Sequence, residues 1–200
     1  MKAGMLAFAA YLALLGGPAL AENGVTENEI RIGQTMPYSG PMSPYAVLGK
    51  LTEAYFAKVN AEGGIAGRKL KLISLDDAYS PAKTVEQTRR LVEQDEVLLV
   101  FGTLGTPTNS AIQRYLNSKG VPQLLITSGA AKWADPKKFP WTMPGMASYQ
   151  SEGVVYAKHV LATKPDARIA ILSQNDDLGR DYVAGFKRGL GDKAASMIVA

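Results

Sequence analysis

The chain has 200 residues, with 20 Gly, 11 Pro, no Cys and one His; hydrophobic residues make up 46% and charged residues 20%. That balance describes a folded chain of one domain, or one and part of another, and it excludes a disulfide framework, a thiolate zinc site, a cysteine nucleophile and an iron–sulfur cluster. The single His159 argues against a multi-histidine metal site or a Ser-His-Asp hydrolase, and a net charge of +4 spread along the chain lacks the dense basic stripe of a nucleic-acid-binding protein.

At the start, Lys2 precedes an apolar run from Met5 to Leu15, then the Gly16-Gly17-Pro18 break and the small-x-small site Ala19-Leu20-Ala21. These are the parts of a secretory signal peptide, expected to be cleaved after Ala21. The run is shorter than the roughly 20 residues of a membrane span. No Cys follows it to carry a lipid. The mature chain is expected to be soluble and periplasmic, and no cofactor or metal is expected.

Beyond residue 21 the chain alternates. Ile30 to Met36 reads as a strand. Ala46 to Ala61 reads as a helix, with Val47, Leu48, Leu51, Ala54, Tyr55 and Val59 at helical spacing and Gly63-Gly64 as its stop. Leu70 to Leu75 is a strand, and Pro81 opens a helix with Val85, Thr88, Leu91 and Val92 inward. Val97 to Phe101 is a continuous apolar strand, covered on both faces. Pro107 opens a helix to Lys119 with Ala111, Ile112, Tyr115 and Leu116 inward; Gly120 ends it, and Gln123 to Ile126 is a fourth strand. This βαβαβαβ order implies a parallel sheet wrapped by helices. A proline-punctuated stretch from Ala130 to Pro144 reads as extended connection. After it come a helix from Ser148 to Thr163, a strand from Arg168 to Leu172, a helix from about Leu178 to Leu190 and a further strand from Ser196. The expected organisation is a signal peptide at 1–21, a first lobe at 22–141 and the beginning of a second lobe at 142–200.

In open parallel sheets ligands sit beyond the carboxyl ends of the strands. That rule nominates Pro37–Gly40, Asp76–Tyr79, Gly102–Thr106 and Thr127–Ala130. Thr106 before Pro107 reads as a helix N-cap whose hydroxyl and neighbouring amides suit an anion. Ser128-Gly129-Ala130 offers a hydroxyl and open backbone. Tyr149 falls near the cleft, suited to core packing or to ligand stacking. Asp76-Asp77 reads as turn and helix capping. Ser80-Pro-Ala-Lys83 has the S-x-x-K form without its companion motifs, and Gly63–Gly67 is the reverse of a P-loop. Lys132, Lys137 and Lys138 read as a solvated loop, and His159 as a solvated helix face.

The motifs Ile30-Arg-Ile-Gly33 leading to Ser39-Gly40-Pro41, Asn60-Ala-Glu-Gly-Gly-Ile-Ala-Gly-Arg-Lys-Leu70, Asp76-Asp77 followed by Pro81, Phe101-Gly102, Gly120-Val-Pro122 and Ile126-Thr127 together resemble the periplasmic solute-binding proteins of the leucine/isoleucine/valine type, receptors of ABC importers. The resemblance implies a type I periplasmic binding fold: two doubly wound parallel-sheet α/β lobes, the second incomplete in this chain. It implies ligand contacts from Tyr45, from Leu104, Gly105 and Thr106, and from Ser128, Gly129, Ala130 and Ala131, with Tyr149 covering the ligand body. Three departures stand out. Ala131 occupies a position where branched-chain receptors carry Thr. Leu178 stands where relatives place an aromatic. The loops of Tyr79 and Gly105 lack the family's Cys pair.

The implied function is capture of a small carboxylate, an amino acid or an aromatic or aliphatic acid, by a monomer that delivers it to a permease in the inner membrane without chemistry. The alternatives are the ligand-sensing domain of a receptor and an exported hydrolase. Since the family's chains are roughly twice as long, the chain is expected to be truncated, with weak binding on its own and apolar surface around Ile169, Ile171 and Ile198.

Overall fold

A computed structural model describes residues 23–199; the expected signal peptide lies outside them. Strand β1 (Glu29–Met36), helix α1 (Ala46–Ala61), β2 (Lys69–Asp76), α2 (Pro81–Glu93), β3 (Leu99–Phe101), α3 (Thr106–Lys119) and β4 (Gln123–Ile126) follow the expected alternation. A 3-10 turn (Ala131–Ala134), β5 (Thr142–Pro144), α4 (Tyr149–Thr163), α5 (Asp177–Leu190) and the short α6 (Ala194–Met197) complete the described chain. No helix among the described residues is long and apolar enough to cross a membrane.

The five strands form one parallel sheet in the order β2-β1-β3-β4-β5. Its direction of growth reverses between β1 and β3, which opens a crevice beyond their carboxyl ends. Val97 and Val100 pack with Leu91 of α2 and with Ile112 and Leu116 of α3, all buried. Each such side chain contributes about 1.5–3 kcal/mol by leaving water. The helices start and stop on local signals. Ser80 precedes Pro81 at the head of α2, and Ser148 accepts the Ser151 amide at 3.1 Å ahead of α4. Asp176 accepts the Gly179 amide at 3.2 Å ahead of α5, and left-handed Gly120 closes α3.

Several expectations need correction. In α1 the helical period is right, but Val47, Leu51 and Tyr55 are more than half exposed; Gly49 and Phe56 are the buried residues. Ala111 is exposed on α3. The proline-rich stretch holds a strand, β5, which extends the first sheet past Trp141. Arg168–Leu172 and, as far as it is described, the segment from Ser196 to Val199 do not form ladders. Met197 closes α6, and the two segments meet only at the parallel bridge between Ile169 and Ile198. Leu172 is fully exposed, and a groove of about 410 Å³ opens beside Ile169, Ile171 and Phe186.

Candidate functional site

The loops that frame the crevice are pinned by one carboxylate. Asp76, the last residue of β2, accepts the backbone amides of Tyr38 (2.9 Å), Ser39 (3.1 Å) and Ala78 (3.0 Å) on Oδ1. Its Oδ2 accepts from Ser39 Oγ (2.6 Å) and Lys83 Nζ (2.9 Å). Burial alone would raise this carboxyl, but the hydrogen bonds from Ser39, Lys83 and Ala78 outweigh it and hold it well below the usual carboxylate range. Its neighbour Asp77 behaves oppositely. It is fully buried, accepts the Tyr79 amide (2.9 Å) and the Thr84 hydroxyl (3.1 Å), and is pushed up by burial. Both aspartates therefore cap turns, as the sequence reading had it.

These opposite shifts predict unequal losses at neutral pH. A depressed carboxyl adds stability above its unfolded pKa, near 3.8, and that stability is lost as pH falls through the lower folded value. Asp76→Asn is expected to cost about 2 kcal/mol, the worth of charge-assisted bonds lost. A raised carboxyl adds stability only below its unfolded value and loses it as pH rises through the folded one, so Asp77→Asn is expected to cost less than about 1 kcal/mol. Urea midpoints of the two variants at pH 7 check the difference.

The loop after β3 leads into α3 through Gly105, which takes the N-cap position with φ +103°. Thr106, expected as the cap, instead occupies the first helical position ahead of Pro107. Its hydroxyl, fully buried, is paired with Ser128 Oγ at 2.8 Å. The first bond closed into the helix is Asn109 N to Gly105 O. The amides of Thr106 and Thr108 precede it, and such first-turn amides have no partner inside their own helix. With the helix dipole they make the end of α3 electropositive without any charged side chain.

Beside the start of α3, where Gly105 and Thr106 line it, lies a pocket of about 270 Å³. One wall is Met42, Tyr45, Tyr79 and Leu104–Thr106; the other is Met146, Tyr149, Leu178 and Tyr182. Tyr149 and Tyr182 stack with ring centres 4.7 Å apart. Tyr182 donates its hydroxyl to Glu152 at 2.6 Å; burial first, and then this bond, pushes its phenol pKa up. Among the described residues, no Asp, Glu, Lys, Arg or His lines the pocket. Its lining is mostly apolar and aromatic, with polar groups from the tyrosines, from Thr127 and from the start of α3. Comparison with known families supplies the deciding observation: the profile described as Periplasmic binding protein matches residues 29–200.

The chain belongs to the periplasmic binding protein family. The Leu/Ile/Val-binding protein of Escherichia coli K12 is 27% identical over 190 residues, 92% of this chain and 50% of that protein. A substrate-binding periplasmic protein from Ralstonia solanacearum superposes with a TM-score of 0.75 at 28% identity, covering 85% of this chain and 48% of that one. A solute-binding protein of an ABC transporter from R. palustris, solved with benzoate, superposes with a TM-score of 0.69 over 81% of this chain and 44% of that one; at 21% identity it shows the fold alone. The chain thus spans about half the length of the relatives it matches. The type I periplasmic binding fold and the resemblance to the leucine/isoleucine/valine type are both borne out.

Within this family fold, the pocket gathers some of the expected residues and leaves others out. Tyr45, Leu104, Gly105, Thr106 and Tyr149 line it. Ser128, Gly129 and Ala130 are turned into the interior instead. Ser128 Oγ receives the indole N–H of Trp133 at 3.0 Å, and Gly129 is packed under the Tyr149 ring and the Ala147 carbonyl. Ala131 offers its amide not to the pocket but to Asp181, at 2.7 Å. The reason is Trp133: the 3-10 turn seats it in the core with Ile126, Ala130 and Tyr149, and the strand-end turn folds inward around it. Lys132 is half-buried and paired, not a free loop lysine. Met42, Tyr79, Thr127, Met146, Leu178 and Tyr182 are the lining residues missed as contacts. Tyr79 lay in a nominated strand-end segment, and Leu178 had been singled out only as a departure. Nothing local marks Tyr182.

Proposed function

We propose that this chain is the solute-capturing part of an ABC importer, working in the periplasm as a monomer and handing its ligand to a permease in the inner membrane. The ligand is a small carboxylate-bearing solute. The observation that carries this reading is the pocket at the sheet's switch point, walled by residues from both sides of the cleft and reaching Gly105 and Thr106 at the start of α3.

The ligand's carboxylate lies at the start of α3, against the Thr106 and Thr108 amides. Its body lies between Tyr45 and Tyr79 on one side and Tyr149 and Tyr182 on the other. The aromatic and apolar side chains of the described lining suit the body of an aromatic or aliphatic acid, or the side chain of an apolar amino acid. The benzoate seen in the R. palustris protein agrees with such a ligand, and the Leu/Ile/Val-binding relative keeps the branched-chain amino acids among the candidates. Walls from both sides make ligand contacts only when the cleft is shut, so the ligand favours the closed form. The permease would recognise that form.

A thermal-shift panel of benzoate, 4-hydroxybenzoate, hexanoate, leucine and isoleucine tests the ligand class. Stabilisation at saturating ligand should reach about 2.7 kcal/mol at about 100 times Kd. Tyr45, half-exposed, is the control. Tyr45→Ala should leave the unliganded melting temperature unchanged and weaken the best ligand about tenfold, the worth of one aromatic contact. No stabilisation by any member of the panel would count against the ligand class.

A further inference from the structure

The turn after β4 makes two contacts that the pocket does not use. The Ala131 amide donates to Asp181 Oδ2 at 2.7 Å, and Asp181 Oδ1 accepts from Gln150 Nε2 of α4 at 2.8 Å. The next residue, Lys132, donates to Asp177 Oδ2 at 3.1 Å and to Ser110 Oγ of α3 at 3.0 Å. Asp177 and Asp181 are four residues apart on α5 and share one face of it. Ala131, Lys132 and Ser110 belong to the unit built on the first sheet, whereas α4 and α5 carry the opposite wall of the pocket.

The geometry points to a clasp: Asp181 and Asp177 hold α5 against the 3-10 turn and so hold the two walls of the pocket together. Asp181 also occupies the Ala131 amide, part of the Ser128–Ala131 turn that the resemblance had assigned to the ligand. The clasp stands without the ligand reading, since every atom in it belongs to the protein. A carboxylate suits the position because it accepts from Ala131 and Gln150 at once, through its two oxygens, and charge-assisted bonds of this kind are the strong ones. The side chain at position 131 is only a methyl group, so no hydroxyl competes for that carboxylate.

The test needs no ligand. The chain has no Cys, so Glu53→Cys on α1 and Lys164→Cys after α4, both exposed, take spin labels cleanly for distance measurement across the cleft. The parent should give one dominant short distance. Asp181→Ala should move a major fraction to longer distances, and Lys132→Met should do the same by breaking the second contact. Amide exchange separates a clasp from general destabilisation. In Asp181→Ala, exchange at Ala131 should rise at least about tenfold, while Val100, bonded within the first sheet to Pro122, keeps its protection. Asp181→Asn, which keeps an oxygen for Ala131, should fall between parent and Ala variant and serves if the Ala variant does not fold. Unchanged distances in both Asp181→Asn and Lys132→Met, or equal loss of protection at Ala131 and Val100, would overturn the proposal.

Discussion

Replacing Trp133 by Ala is expected to cost about 3–5 kcal/mol, the usual loss for a large aromatic removed from a packed core. Trp133 is 1% exposed and sits among Ile126, Ala130 and Tyr149. Its indole N–H is bonded to Ser128 Oγ, which is in turn paired with Thr106. The substitution therefore opens a cavity beneath Tyr149 and removes a donor from the hydroxyl pair at the start of α3. Domains hold only about 5–15 kcal/mol in total, so the variant should be close to unfolding at ambient temperature. Trp133→Phe fills most of the volume but lacks the N–H, and should cost about 1–3 kcal/mol. Urea unfolding followed by circular dichroism measures both. An Ala variant within about 1 kcal/mol of the parent would mean that the 3-10 turn does not anchor the site.

Gly105→Ala should be nearly as damaging, and it should also abolish binding. At φ +103° an L-residue is strained, and a Cβ would lie 2.5 Å from the Tyr79 ring and 2.7 Å from Thr108 Oγ1. Relief requires the Tyr79 wall to retreat or α3 to shift its first turn, and both belong to the pocket. We expect a stability loss of about 3 kcal/mol, strain and overpacking together. Gly67 is the matched control. It also has positive φ (+79°), but a Cβ there meets nothing within 4 Å. Gly67→Ala should show only the left-handed cost of about 1 kcal/mol and leave ligand affinity unchanged. Differential scanning calorimetry with and without ligand compares the two.

These residues show how unevenly the site could be read from the sequence. Strands β1 to β4 and helices α1 to α5 carry local signals: period, Ser80-Pro81, Ser148, Gly120. Strand β5 carries none. It is three residues long, ends in Pro144, and owes its existence to its pairing with β4. Arg168–Leu172 shows the converse, because apolar pattern alone does not make a ladder; Ile169 finds one bridge partner in Ile198. The exposed apolar residues of α1 show that period identifies a helix more safely than it identifies the buried face.

For the pocket, the rule about strand ends pointed to Leu104, Gly105 and Thr106, which line it because topology fixes where those ends go. Ser128, nominated by the same rule, lies outside that lining because its hydroxyl is engaged from within by a tryptophan five residues on. Tyr182 was invisible for a different reason. Its place on the wall depends on how α5 docks, and that rests on Asp181 and Asp177 meeting Ala131 and Lys132, 45 to 50 residues away. Contacts at such separation leave no local trace.

In the proposed function a small acid is held at the start of α3 between the two aromatic walls. An amide-resolved NMR titration with the best ligand of the thermal panel tests it most directly. The largest shifts are expected at Gly105, Thr106 and Thr108, smaller ones at Tyr45, Tyr79, Tyr149 and Tyr182, and little change at Ala131, whose amide Asp181 retains. Shifts centred on the groove beside Ile169 and Phe186, with none at Thr106, would contradict it.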